Sequence, residues 1–443
     1  MNGLSRRTAL GLLAATPVAA RAQVQTNFRD LAPRPPMGWN SWDSFAATIN
    51  EEQARANAAV MAAKLLPHGY DIFTVDIQWY EPGATGFEYR VGVELAMDGN
   101  GRLLPALNRF PSAAGGKGFK PLADYVHSLG LRFGIHLMRG VPRLAADRNL
   151  PILGTAHRCG DIADRKNICT WNSDMYGVDM SKPGAQEYYN SVFKLIASWD
   201  VDFVKVDDIA RPYHRNEPEI EAVRRAIDRS GRPMVLSISP GETALSAAAH
   251  VANHANMWRI SDDFWDEWPL LLSQFKRLAD WAPHLRPGAW PDADMLPLGL
   301  LALGERRTRF TPDEQRTMMS LWSIARSPLI MGGDLRALDD MTLALLTNDE
   351  VLRVNQHGTG ARQVFRTDRH VAWTSRDAAN GARYLALFNI GAQTEPVSVE
   401  LSTLGIPGQA KVRDLWARAS LGTARGRFAA TLPAHGSGLY RLD

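Results

Sequence analysis

Up to about Asn348 the chain alternates short apolar runs with longer stretches of helical periodicity. Eight runs read as strands: Met37–Asn40, Ile72–Asp76, Arg132–Leu137, Phe203–Asp207, Met234–Ser239, Met257–Ser261, Ala289–Met295 and Leu329–Gly332. Between them lie helical patterns at Glu52–Lys64, Phe119–Leu129, Gly184–Trp199, Pro218–Ser230, Glu242–Ala255, Pro269–Ala282 and Pro312–Ala325. Strands separated by helical crossovers form a parallel sheet, and eight such units match a (β/α)8 barrel better than an open six-stranded sheet. Two helix entries carry local signals. Ser181 is a candidate N-cap ahead of Pro183, and Thr311-Pro312-Asp313-Glu314 predicts a capping box. Beyond Asn348 the long helical patterns stop. Strand-like runs at Val371–Thr374, Arg383–Asn389, Val397–Leu401, Val412–Trp416 and Gly438–Arg441 predict a smaller antiparallel β-domain over residues 348–443, after a barrel over 30–347.

The ends of the predicted barrel strands carry polar groups. The second ends in Asp76, the third carries His136, the fourth Lys205 and Asp207, the fifth ends in Ser239, and the sixth carries Arg259 followed by Asp262 and Asp263. Barrel strand ends converge on one mouth. Two carboxylates facing each other there, one ionised and one protonated, are what a retaining glycosidase requires. Lys205 beside Asp207 favours an ionised nucleophile, and the adjacent Asp262 and Asp263 crowd like charge, which raises one pKa. The competing readings are a salt-bridged Asp207 and a divalent-metal site, the latter without a His-rich ligand set to support it.

Composition leaves ample core, with 45% hydrophobic and 22% charged residues, and 13 Trp that can stack on sugar rings as well as fill the interior. Ser5-Arg6-Arg7, the apolar run Ala9–Ala20 and the small-x-small triplet at Ala20-Arg21-Ala22 read as an export signal of the twin-arginine kind. Export places the protein in the periplasm or outside the cell. Removing residues 1–22, with three Arg and no acidic residue, takes the formal net charge from +3 to 0. No basic excess then remains to bind nucleic acid or an anionic membrane, and a neutral glycoside partner is compatible. The two cysteines, Cys159 and Cys169, are expected to form a disulfide in an oxidising compartment.

PPMGWNSWDSF (Pro35–Phe45) closely resembles the opening motif of glycoside hydrolase family 27, the α-galactosidase or melibiase family. Further resemblances follow in the family's order: YDIFTVDIQW (Tyr70–Trp79), GLRFGIHL (Gly130–Leu137), DFVKVDD (Asp202–Asp208), MWRISDDF (Met257–Phe264), PGAWPDADML (Pro287–Leu296) and SIARSPLIMGGDL (Ser323–Leu335). The resemblance implies a (β/α)8 barrel followed by a C-terminal antiparallel β-sandwich, a retaining mechanism and no cofactor or metal. It places the nucleophile on Asp207 and the acid/base on Asp263, with Asp262 as the competing assignment. It places sugar contacts on Trp42, Asp76, Lys205 and Arg259, and on His136 and Ser239 where the family's residues differ. The expected activity is exo-α-galactosidase. Three departures leave room for α-N-acetylgalactosaminidase, β-L-arabinopyranosidase or isomalto-dextranase-like activity: Ile77 replaces a second Asp beside Asp76, His136 replaces a Tyr, and Ile238-Ser239-Pro240 replaces Cys-Glu-Trp. A non-catalytic carbohydrate-binding barrel is the alternative of a different class.

Overall fold

The computed structural model describes residues 27–443, so the expected export signal lies outside the described residues. Eight parallel strands share one sheet: β1 (Met37–Asn40), β2 (Ile72–Val75), β3 (Arg132–Met138), β4 (Phe203–Asp207), β5 (Val235–Ile238), β6 (Met257–Arg259), β7 (Trp290–Asp292) and β8 (Leu329–Met331). Each pairs with its sequence neighbour from β1 to β7, and β8 returns to β1, with Met37 opposite Leu329. The last gap closes just past β7, where Leu296 forms a parallel bridge to Met331. The sheet therefore curls back on itself as a barrel.

Helices follow the first seven strands in turn: α1 (Glu51–Lys64), α2 (Lys120–Ser128), α3 (Ala185–Ser198), α4 (Tyr213–Arg229), α5 (Ala248–His254), α6 (Trp268–Trp281) and α7 (Pro312–Ala325). The Thr311 box forms as expected. Glu314 N donates to Thr311 Oγ1 at 3.3 Å, and Thr311 N donates to Glu314 Oε2 at 2.9 Å. Ser181 does not cap α3. Its hydroxyl donates to Asp179 Oδ1 at 2.7 Å, and the helix begins at Ala185, after Gly184 at φ 93°. The next helix, α4, starts five residues before Pro218, which sits inside it. Buried Tyr213 and Asn216 hold that extra turn, Asn216 Nδ2 donating to the Ile209 carbonyl at 3.1 Å. The following helix, α5, is shorter than its pattern, because Thr243 N is drawn to the Arg259 carbonyl at 3.1 Å and Glu242 pairs with Arg277.

After β8 come α8 (Asp340–Leu346) and α9 (Asp349–His357), then eight antiparallel strands: β9 (Gly358–Arg366), β10 (His370–Asp377), β11 (Arg383–Asn389), β12 (Glu395–Glu400), β13 (Gln409–Asp414), β14 (Ala419–Arg425), β15 (Arg427–Leu432) and β16 (Ser437–Leu442). Their order is β9-β10-β11-β16-β13-β14-β15-β12, wrapped around a core that includes Leu385, Leu387, Val397, Val399 and Tyr440. This is the C-terminal β-domain that the run pattern predicts. Helix α7 docks it to the barrel: Thr317 Oγ1 donates to the His435 carbonyl at 2.7 Å, and Trp416 Nε1 to Ser320 Oγ at 2.9 Å.

The expected disulfide is not present. Cys159 and Cys169 are separate buried thiols. The Cys159 Sγ faces the Asn100 carbonyl at 3.8 Å, whereas the Cys169 thiol is raised by burial and in part by the Asp208 carboxyl. Burial pushes both thiols up to about 12, so neither presents a thiolate at neutral pH.

Candidate active site

The C-terminal ends of the strands surround a cavity of about 490 Å³. Trp42, Asp76, Ile77, Lys205, Asp207, Arg259, Asp262 and Asp263 all line it. Six sequence-predicted site residues therefore meet at one mouth, together with Asp262 and Ile77. His136 and Ser239 stand behind the wall. His136 is fully buried, and its Nε2 donates to Asp207 Oδ2 at 3.0 Å. Ser239 is also buried, its Oγ without a hydrogen-bond partner among the described residues, and the neighbouring Pro240 faces the cavity in its place.

The strand register explains these positions. In β3 and β4, His136 lies opposite Lys205 and Met138 opposite Asp207. Lys205 Nζ bonds Asp76 Oδ2 at 3.0 Å rather than Asp207, and Asn40 Nδ2, from the end of β1, donates to the same oxygen at 2.6 Å. Burial works to raise the Asp76 carboxyl, but Lys205, His136 and Asn40 outweigh it and hold it below the usual carboxylate range. Asp207 follows the same pattern. Burial raises it, and the His136 hydrogen bond with the charges of His136 and Lys205 brings it below its ordinary value. The partner that lowers Asp207 most directly is thus His136, through its hydrogen bond, not the sequence-adjacent Lys205.

Asp262 and Asp263 do not share one environment. Asp262 pairs with Arg211 at 2.8 Å, and Asp263 with Arg259 at 3.2 Å. Both carboxylates are largely exposed, at 61% and 63% of their side chains. Separate arginines thus relieve the like-charge crowding expected of the pair. The backbone after Asp263 is fixed by Phe264 N, which donates to Asp294 Oδ2 at 2.7 Å.

Several residues of this site had no individual signal in the sequence. Asp294, which meets Arg259 at 2.8 Å, and Asp43 line the cavity beside the predicted residues. Burial, then the Asp294 charge, pushes the Asp43 carboxyl well up, and Oδ2 of Asp43 has no hydrogen-bond partner among the described residues. A Cβ on Gly332 would come within 2.0 Å of that oxygen, so the close approach of β8 requires glycine there. Asp292 lies just below, pushed up to about 7 by burial and by Asp294. The signal was their place in motifs already singled out, WDSF and PDADML. Phe87, Tyr89, Trp171 and Trp265 form an aromatic rim. Tyr89 stacks on Trp42 with centroids 5.9 Å apart, and Phe87 meets Trp265 edge-on at 5.9 Å. Phe87 and Tyr89 come from a long loop without periodicity, and Trp171 from the short connection between paired strands at Ala163–Ile168 and Met175–Val178.

A pocket with a carboxylate held ionised, a second carboxylate just past the end of β6 and aromatic walls is suited to bind and cleave a neutral sugar derivative. The family model described as "Alpha galactosidase A" matches residues 34–181 and 174–357, and the "Alpha galactosidase C-terminal beta sandwich domain" matches 367–442. The chain belongs to glycoside hydrolase family 27. It is a glycoside hydrolase, 30% identical to an α-galactosidase of Coffea arabica over 92% of this chain and 93% of that one. Its fold matches a family 27 β-L-arabinopyranosidase from Geobacillus stearothermophilus with a TM-score of 0.92 and 54% identity, covering 94% of this chain and 98% of that one. A protein of Bacillus halodurans described as a putative α-N-acetylgalactosaminidase follows at TM-score 0.84 and 46% identity, over 93% and 99%. Among the described residues no helix is long and apolar enough to cross a membrane.

The state of Asp292 sets a pH dependence. Its pKa in the fold, about 7, lies above the unfolded value near ~3.9, so the folded chain binds the extra proton. That contribution is fully present below pH ~4 and is lost as pH rises to about 7. Asp292→Asn, which stays neutral, is expected to gain stability relative to wild type progressively across this window. Urea denaturation at pH 5, 6, 7 and 8 measures it, and a pH-independent difference between the two proteins contradicts the assignment.

Proposed function

We propose that this chain is a retaining exo-glycosidase whose reactive subsite favours a terminal β-L-arabinopyranosyl residue over the α-D-galactosyl residue that the motif resemblance puts first. The observation that carries this reading is Ile77. It lines the cavity beside Asp76, is 2% exposed, and stands where a second carboxylate was expected. Its position is held from both sides: Ile77 N donates to Asp76 Oδ1 at 2.9 Å, and Gln78 Nε2 donates to buried Asp174 at 2.6 Å. β-L-Arabinopyranose is α-D-galactopyranose without the hydroxymethyl group on C5. An apolar wall offers no partner to that hydroxyl and favours the sugar that lacks it, since burying an unpaired hydroxyl costs about 1–3 kcal/mol. The high identity to an arabinopyranosidase supports the same choice.

In the proposed mechanism Asp207, ionised through His136, attacks the anomeric carbon and forms a covalent glycosyl-enzyme. Asp263 gives its proton to the departing glycosidic oxygen, then takes one from the water that hydrolyses the intermediate. Asp76, Lys205 and Arg259 contact hydroxyls and Trp42 stacks on the ring. The place of Asp263 four residues after Arg259, where the motif resemblance puts the acid/base, supports it over Asp262. Residues 1–22 are proposed to export the enzyme to the periplasm or beyond, with the catalytic barrel at 30–347 and the sandwich at 348–443.

Nitrophenyl β-L-arabinopyranoside is expected to give a higher kcat/KM than the α-D-galactoside and the α-N-acetylgalactosaminide, and Ile77→Asp to reduce the preference by about 10-fold or more. A wild-type preference for either of the other sugars overturns the reading. Asp207→Asn is expected to lose turnover by at least about 10³-fold without loss of fold. Azide is expected to rescue Asp263→Ala on an activated substrate, and rescue of Asp262→Ala alone would reverse that assignment. Replacing His136 with Phe removes the chief group that lowers Asp207, so the acidic limb of the kcat/KM profile moves to higher pH. An unmoved limb assigns the titration to another group.

A further inference from the structure

On the outer wall of the barrel, α4 and α5 bring together Glu221, His250 and His254. One ligand atom from each lies within 4.8 Å of the other two, the one such grouping of three among the described residues. We propose that these side chains form a binding site for a borderline transition-metal dication of the zinc type, which ties α4 to α5.

The two histidines are four residues apart on α5 and so share one face, with ring centroids 4.2 Å apart. Each ring has its Nδ1 occupied. His254 Nδ1 lies 2.8 Å from the His250 carbonyl, which can only accept, so that nitrogen carries the proton and the lone pair of the neutral ring is on Nε2. His250 Nδ1 lies 2.8 Å from the hydroxyl of buried Tyr213, at the start of α4. An outer partner on one imidazole nitrogen that frees the other for a metal is the usual arrangement around ligating histidines. The carboxylate of Glu221 is oriented in turn, one oxygen held by Arg225 at 3.0 Å and the other 3.5 Å from His250 Nε2. That distance is at the limit of a hydrogen bond. It is close to the separation of about 3.4 Å between two ligand atoms bound at 2.0–2.1 Å to a tetrahedral zinc. All three residues are partly exposed, so an ion can enter and water can complete its shell. Two imidazoles and a carboxylate favour zinc over magnesium or calcium, which prefer all-oxygen sites.

The site is separate from the sugar cavity, though α4 begins two residues after Arg211 at its rim. Binding is therefore expected to stabilise the fold without changing the chemistry. Tag-free enzyme, stripped with chelator, is titrated calorimetrically with ZnCl2 and, in parallel, with MgCl2 and CaCl2. One equivalent of zinc is expected to bind and to raise Tm, with affinity at least about 10-fold weaker in His254→Gln and Glu221→Gln and measurably weaker in Tyr213→Phe. Glycoside hydrolysis by the His254 and Glu221 variants reports that they remain folded. No zinc binding by the wild type, binding that survives in both of those variants, or magnesium or calcium binding as tightly as zinc overturns the proposal.

Discussion

Everything at the mouth of this barrel depends on burying opposite charges in pairs. Asp76 is 1% exposed and Lys205 reaches it from a strand two positions away, while Asp207 is held by a histidine that sees no solvent. Arg259 in turn stands between Asp294 and Asp263. A lone charge at such depth is very costly, and removing one member of a buried pair typically costs about 3–5 kcal/mol. The residues of the pocket are therefore interdependent. Asp76, Asp207 and Asp294 each meet a basic side chain carried on another strand.

The barrel makes such pairing possible. Parallel strands in register place alternate side chains at equal heights, so His136 and Lys205 come from neighbouring strands to serve different carboxylates. Crowding of this kind also leaves some acids without enough cations. Asp292 and Asp43 are both raised, first by burial and then by Asp294. The pocket thus holds ionised and protonated carboxyl groups side by side, the condition under which acid and base chemistry can coexist at one pH.

Much of this was legible along the chain. All eight barrel strands lie on the runs marked by apolar pattern, because a strand buried on both faces reads as an apolar run whatever surrounds it. Strand-end polar residues named the core of the cavity. Three strands of the sandwich were not legible, and β14 shows why: nearly all its residues are exposed, so no alternation marks it. The start of α4 was hidden by Pro218, normally a first-turn residue, whose presence inside the helix is tolerated because Tyr213 and Asn216 are buried. Asp43 and Asp294 were invisible individually, since nothing local distinguishes a carboxylate that enters a pocket from one that faces water.

By itself, the sequence determined the class of architecture, the carboxylates at the strand ends and the missing acid at Ile77, because each is a matter of residue type and local period. Tertiary structure alone decided which charge answers which. Adjacency suggested Lys205 for Asp207, a crowded Asp262–Asp263 pair and a disulfide between the two cysteines. The fold instead gives His136 to Asp207, separate arginines to the two aspartates, and separate buried pockets to the thiols. Coulomb forces and hydrogen bonds act through space over a few ångströms, and chain neighbours on a strand point to opposite sides of it.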